Sequence, residues 1–194
     1  MNFPRPVFDA NATQATEFGD LPNWNLDDLY PGPDAPELKR DMDWLETACA
    51  EFAADYQGKL GDLDAAAMLT CVKRNERISS VAGRIMSFAG LRYYQSTTDA
   101  ERAKFMSDCQ DRITAFTTQL VFFSLEFNAI EDAAYTTLFS ADPELARYKP
   151  HFDRMRSLKP YQLSDELERF LHDQSTVGAT AWNKLFDETI AGLT

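Results

Sequence analysis

Glycine and proline are scarce. Only eight glycines and nine prolines occur in 194 residues, many of the prolines near the N-terminus or at segment boundaries, so long stretches are free to be helical. Cysteine is scarcer still. Cys49, Cys71 and Cys109 are far apart and show no C-x-x-C spacing, which supports neither a redox motif nor a zinc knuckle. Cys49 and Cys109 fall on apolar helical stripes, where a free cysteine acts as a small hydrophobe, as suits a reducing cytosol. Long apolar runs are missing: the longest run of large apolar residues is Leu120 to Phe123, far short of a membrane span. The opening residues MNFPRPVFDA hold no apolar signal core. Basic residues are outnumbered, 19 against 31 acids, for a formal charge of −12 and a pI near 4.5. That balance disfavours nucleic acid and gives no reason to expect binding to anionic membranes. Scattered along helices, the acids read as a solvated surface. Together these features predict a soluble cytoplasmic protein.

What is present is an ordinary globular composition, 44% hydrophobic and 26% charged, in a chain long enough for one large domain or two small ones. Such a chain buries a core without disulfides or metal. Residues 1–20 carry no periodicity and read as a flexible arm. In residues 21–33, LPNWNLDDLYPGP, Trp24, Leu26, Leu29 and Tyr30 are placed to pin the segment onto a helical body. A first helix is expected from Asp34, with Glu37 completing a capping box. Its apolar stripe is Leu38, Met42, Leu45, Cys49, Phe52 and Tyr56, and Gly58 ends it.

A second helical region spans about Asp64 to Tyr94, with a possible break at Lys73 to Glu76. Gly83 and Gly90 within it would admit a close neighbour. A third helix is expected from Thr98, capped with Glu101 and apolar from Met106 to Ile130. It reads as the central, multiply buried helix. Shorter helices follow at 132–140, from Asp142-Pro143 to Lys159-Pro160, from Ser164, and from Ala179 to about Leu193. The last carries Trp182, Leu185, Phe186 and Ile190. Strand patterns and fixed-period repeats are essentially missing, so the fold class is all-α, an irregular antiparallel helical bundle.

Chemistry-bearing patterns are few. A zinc-peptidase motif needs two histidines four apart on one helix face with a glutamate beside the first. The only two histidines, His151 and His172, are 21 apart, and each reads as a surface or capping residue. No serine lies in a G-x-S-x-G turn and no glycine-rich loop follows a strand. The acid pairs Asp27/Asp28 and Glu131/Asp132 read as helix starts or solvated faces. These patterns yield no catalytic residue and no metal ligand. Arg92, Tyr93 and Tyr94, at the end of the second long helix, form a candidate peptide-channel surface, since aromatics beside an arginine suit a peptide chain. Packing explains them equally: one tyrosine in the core, the other over the helix end. The aromatic stretch 116–127 reads as core.

Two stretches carry more. Residues 21–33 resemble the opening of oligoendopeptidase F-type zinc metallopeptidases, of the thimet-oligopeptidase-like superfamily. Residues 163–188 resemble the end of that family's N-terminal region through Leu163-Ser164, Glu166, Gly178, Ala181-Trp182 and Leu185-Phe186-Asp187-Glu188. The likeness runs over roughly residues 20–194. It implies N-terminal helices over 21–112, the family's N-terminal helical domain over 113–194, and the N-terminal lobe of a larger two-lobed peptidase. The implied activity is zinc-dependent hydrolysis of oligopeptides in the cytoplasm. In the family, two histidines and a glutamate hold the zinc and a second glutamate activates water, all in a C-terminal catalytic lobe. No position here matches them, so the resemblance assigns no zinc ligand or catalytic residue to this chain, and the end at Gly192-Leu193-Thr194 reads as cut within a helix. It further implies a helical wall beside a substrate channel, oligopeptide and the C-terminal lobe as partners, and self-association or poor solubility when that lobe is missing. The alternative is a free-standing, non-catalytic helical interaction module.

Overall fold

The computed structural model describes residues 25–192. The expected arm at 1–20, together with Trp24, Leu193 and Thr194, lies outside the described residues. The described chain is a succession of α-helices joined by short turns, with no strand among the described residues.

Helix α1, Pro36–Tyr56, buries the predicted stripe of Leu38, Met42, Leu45, Cys49 and Phe52. It starts later than expected. Ala35, not Asp34, is the N-cap, extended and without a side-chain hydrogen bond, because a residue preceding proline is pushed out of the helical region. Gly58 follows the helix end at φ +79°, the left-handed conformation that glycine adopts without strain.

Helix α2, Ala65–Gln95, is one unbroken run of 31 residues. Asp64 caps it, its carboxylate accepting from the Ala67 N–H at 2.8 Å. The expected break at Lys73 to Glu76 does not occur. These polar side chains serve tertiary contacts: Lys73 pairs with Glu144 at 2.6 Å, and the Tyr148 hydroxyl donates to Glu76 at 2.8 Å. Nor do the two glycines admit a close neighbour. A Cβ at Gly83 would meet nothing within 4 Å, and one at Gly90 would meet only the Tyr94 ring at 3.9 Å.

The predicted third helix is two. Helix α3, Ala100–Thr117, and helix α4, Val121–Ala129, are separated by a three-ten turn at Thr118–Leu120. Hydroxyls of Thr117 and Thr118 bond back to the carbonyls of Ile113 and Thr114 at 2.8 Å, a competition that bends helices. The N-cap of α3 is Asp99, whose carboxylate accepts from Glu101 and Arg102 N–H; a carboxylate one residue on displaces the expected Thr98. Burial concentrates in α4, where Phe122, Phe123, Leu125 and Phe127 are interior, whereas α3 buries only Cys109 and Ile113. The central position therefore belongs to α2 and α4, not to one long third helix.

Helices α5 (Asp132–Ala141), α6 (Pro143–Ala146) and α7 (Lys149–Arg156) wrap this core. A single helix was expected from Asp142 to Lys159. Pro150 splits it, because it cannot donate to the Ala146 carbonyl. The aromatic stretch packs as expected. Phe127 stacks on Phe152 at 4.0 Å between centroids, and Phe123, Tyr135 and Phe139 close around the pair. Helices α8 (Asp165–Asp173) and α9 (Ala179–Ala191) complete the described chain. Ser164 occupies the N-cap of α8 without a side-chain bond.

Two polar joints orient the helices. The Tyr30 hydroxyl donates to Asp41 and accepts from Arg84, locking the N-terminal segment to α1 and α2. Arg156 donates to the carbonyls of Phe127 and Ile130 at 2.9 and 2.8 Å, bonds Asp132, and lies over the Tyr135 ring. It thereby caps the C-terminal carbonyls of α4, of which that of Phe127 also accepts the Ile130 N–H at 3.4 Å, with a charge of the favourable sign. Lysine cannot reproduce that fork, and an unpaired interior carbonyl costs about 1–3 kcal/mol. Denaturant titration of Arg156→Lys is expected to show a loss of about 2 kcal/mol. Lys104→Ala, which breaks only the exposed pair with Asp108, is expected to cost under about 0.5 kcal/mol.

Candidate functional site

The end of α2 divides the sequence-derived candidates. Tyr93 is buried, 4% exposed, and Tyr94 is 63% exposed, their ring centroids 5.3 Å apart. Both line a cavity of about 150 Å³ between α2, α3 and α9, walled also by Met106, Gln110, Lys184 and Asp187. The Tyr93 hydroxyl has no hydrogen-bond partner among the described residues. Burial raises its pKa, with a further push from the carboxylates of Glu188 and Asp187. Arg92 does not join the tyrosines. Its guanidinium sits over Phe88 at 5.6 Å, and it lines a different hollow with Pro33, Asp99, Arg102 and Phe105.

The histidines are also apart from that site. His151 is exposed on α7, edge-on to Phe152. His172 places Nε2 3.2 Å from the Thr117 hydroxyl, at the rim of a wider groove between α2, α4 and α8 that includes Ile78, Leu120 and Phe123. Among the described residues no three His, Cys, Asp or Glu side chains gather as metal ligands. Burial lifts the thiols of Cys49 and Cys109 to about 11 and that of Cys71 to about 12, which opposes the thiolate a metal would need. The donor set described here does not fit a zinc ion. Of the acid pairs, Asp27 and Asp28 are exposed, Glu131 is the N-cap of α5, and Asp132 bonds Arg156.

The distinctive geometry lies in α9, a helix turned inside out. Thr180, Asn183, Lys184 and Asp187 share one face, and that polar face lines the cavity against Tyr93 and Met106. The other face carries Trp182, Leu185, Phe186 and Ile190, which are 72%, 52%, 65% and 52% exposed. Helix α8 does so in part: Glu168 and His172 turn to the groove together with Leu171, while Leu167 and Phe170 stand half in water. Among the described residues, eleven of the thirteen exposed large hydrophobics lie between Leu158 and Ile190. An amphipathic helix normally buries its apolar stripe, and a contiguous apolar surface marks an interaction site. Periodicity revealed the stripe in α9 but not which side faces inward, so the inversion was missed; only Tyr93, Met106 and the aligned polar face of α9 fix it.

An all-α bundle finished on one side and open on the other is the class of structure defined here. Comparison with known proteins gives it a family context. Residues 126–194 match the family model described as Oligopeptidase F. The fold is similar to the crystal structure of oligoendopeptidase-F from Enterococcus faecium, with a TM-score of 0.66 and 18% identity over 73% of this chain and 27% of that one. This chain thus spans about a quarter of that solved protein. No curated protein matches. The chain resembles the N-terminal region of the oligopeptidase F family, and the all-α architecture agrees with it.

A buried hydroxyl without a partner contributes nothing that phenylalanine would lose. Thermal unfolding of Tyr93→Phe is therefore expected to match the parent or exceed it by up to about 1 kcal/mol. A loss of more than about 1 kcal/mol would mean that the hydroxyl is satisfied.

Proposed function

We propose that this chain is the non-catalytic helical N-terminal part of a cytoplasmic zinc-dependent oligoendopeptidase, and that it forms one wall of the channel admitting oligopeptides. One observation carries the reading: the outward apolar face of α8 and α9 coincides with the residues that carry the family resemblance. Trp182, Leu185 and Phe186 are both the family-like positions and the exposed ones. A surface of this kind is made to be covered. On this reading the cover is the C-terminal catalytic lobe, which brings the zinc ligands and the general base that activates water. The helical domain boundary near residue 113 falls within α3, so α3 would join the two helical parts.

Residues of this chain would bind and position substrate without touching the scissile bond. Of Arg92, Tyr93 and Tyr94, the exposed Tyr94 ring is proposed as the channel surface that meets a peptide, since Tyr93 is buried beneath it and Arg92 lines a different hollow. A walled channel admits unfolded peptides and excludes folded proteins, so this part would set substrate size while the catalytic lobe performs hydrolysis.

The test is to express the chain together with whatever its gene encodes downstream, and to measure bound zinc and cleavage of a quenched fluorescent oligopeptide. One zinc per molecule and cleavage in the extended protein alone are the expected results. A stop codon directly after Thr194, or cleavage with bound zinc by the 194-residue chain itself, would overturn the reading. The stop codon would favour a free-standing interaction module.

A further inference from the structure

The exposed apolar residues of α8 and of α9 are flanked along each helix by acids. Over residues 165–191 there are six acids and two bases. Their placement matters more than their number. On a helix, residues three and four apart lie along one ridge. Glu166 and Asp173 are therefore one turn either side of Phe170, and Glu188 is one turn beyond Leu185. Glu166, Asp173 and Glu188 are all exposed. Neither Glu166 nor Asp173 has a side-chain hydrogen bond or ion pair among the described residues, and Glu188 reaches only Lys184, at 4.0 Å. The two bases, Arg169 and Lys184, offset only part of this acidity. Arg169 is one turn from both Glu166 and Asp173 yet makes no ion pair among the described residues, and Lys184, which reaches Glu188, also lines the inner cavity.

We infer that the surface covering α8 and α9 is a protein face of apolar helix ringed by lysine or arginine. A second copy of this chain fits worse, because pairing through this segment would bring together two surfaces that each carry six acids and two bases, and like net charge suppresses a pairing. An anionic membrane is repelled by the same rim. The inference rests on the proposed reading of the chain as one lobe of a larger protein, and it adds the chemistry of the face that completes it. Apolar contact supplies the affinity, while the rim sets the partner's charge and the encounter rate.

The test uses the 194-residue chain and two dye-labelled amphipathic helical peptides, one of leucine and lysine and one of leucine and glutamate. Fluorescence anisotropy is read at low and at high salt. The leucine–lysine peptide is expected to bind about tenfold or more tightly than the leucine–glutamate peptide, a margin that shrinks with salt. The chain's charge of −12 attracts any cationic peptide, so two variants localise the binding. Phe170→Asp with Phe186→Asp makes the chain more acidic at positions 58% and 65% exposed, where folding does not depend on them, and it is expected to abolish binding. Glu166→Lys with Asp173→Lys is expected to reverse the preference toward the glutamate peptide. Persistent binding to the double aspartate variant overturns the inference, as do equal binding of both peptides, binding of neither, an unreversed preference, or binding to phosphatidylserine vesicles in place of the peptides. None of these outcomes bears on zinc or cleavage in the extended protein, so the two proposals fail separately.

Discussion

A helix satisfies its own backbone hydrogen bonds but cannot bury its own apolar stripe, and every feature of this molecule follows from how its helices meet that constraint. From α1 to α7 the stripes meet one another. Tyr30, Phe52, Phe88, Phe122, Phe127 and Phe152 are almost wholly enclosed, and aromatic contacts link α1 to α4 and α4 to α7. The polar joints at Arg84 and Arg156 then fix the helices where packing alone would allow several angles. In α8 and α9 the constraint is unmet, and the apolar stripes face outward. Packing is thus complete over most of the chain and interrupted over its last described segment, and the interruption is where functional meaning concentrates.

Much of the architecture was legible because helical periodicity is a direct physical signal. The stripe from Leu38 to Phe52, the Gly58 stop, the Asp64 start and the Asp142-Pro143 start all register in the backbone. The misreadings share a cause: a local preference was weighed without its competitor. Asp34 resembled a cap until Pro36 forced Ala35 into the extended region. Thr98 resembled a cap while Asp99, beside it, offered a carboxylate. Periodicity ran unbroken through Thr117 and Thr118, yet their hydroxyls compete for helix carbonyls. Pro150 marked the division of α6 from α7, and its missing donor was the readable sign.

The candidate site was less legible. Arg92, Tyr93 and Tyr94 are adjacent in sequence but diverge in space, since successive residues on a helix point about 100° apart. The two tyrosines meet a cavity whose far wall, Thr180 to Asp187, comes from the other end of the chain, a juxtaposition that no local pattern encodes. The stripe in α9 was visible, and its direction was not. An amphipathic pattern says that one side differs from the other, whereas the choice of the buried side depends on everything else in the fold. Likeness to the N-terminal region of oligopeptidase F gives that outward face a place in a larger molecule, and the bundle's own packing shows why such a face is left over.

The central claim is that the outward face of α9 is covered in the functional protein, and Trp182 reports on it most directly. With Trp24, Trp44 and any tryptophan of the downstream segment replaced by phenylalanine, Trp182 is the sole indole. Acrylamide quenching of its fluorescence can then be compared between this chain and the protein extended through its downstream frame. The account predicts strong quenching in the short chain, where Trp182 is 72% exposed, and strong shielding in the extended one. Equal quenching in both would contradict it, because the face would then remain in water when the rest of the protein is present.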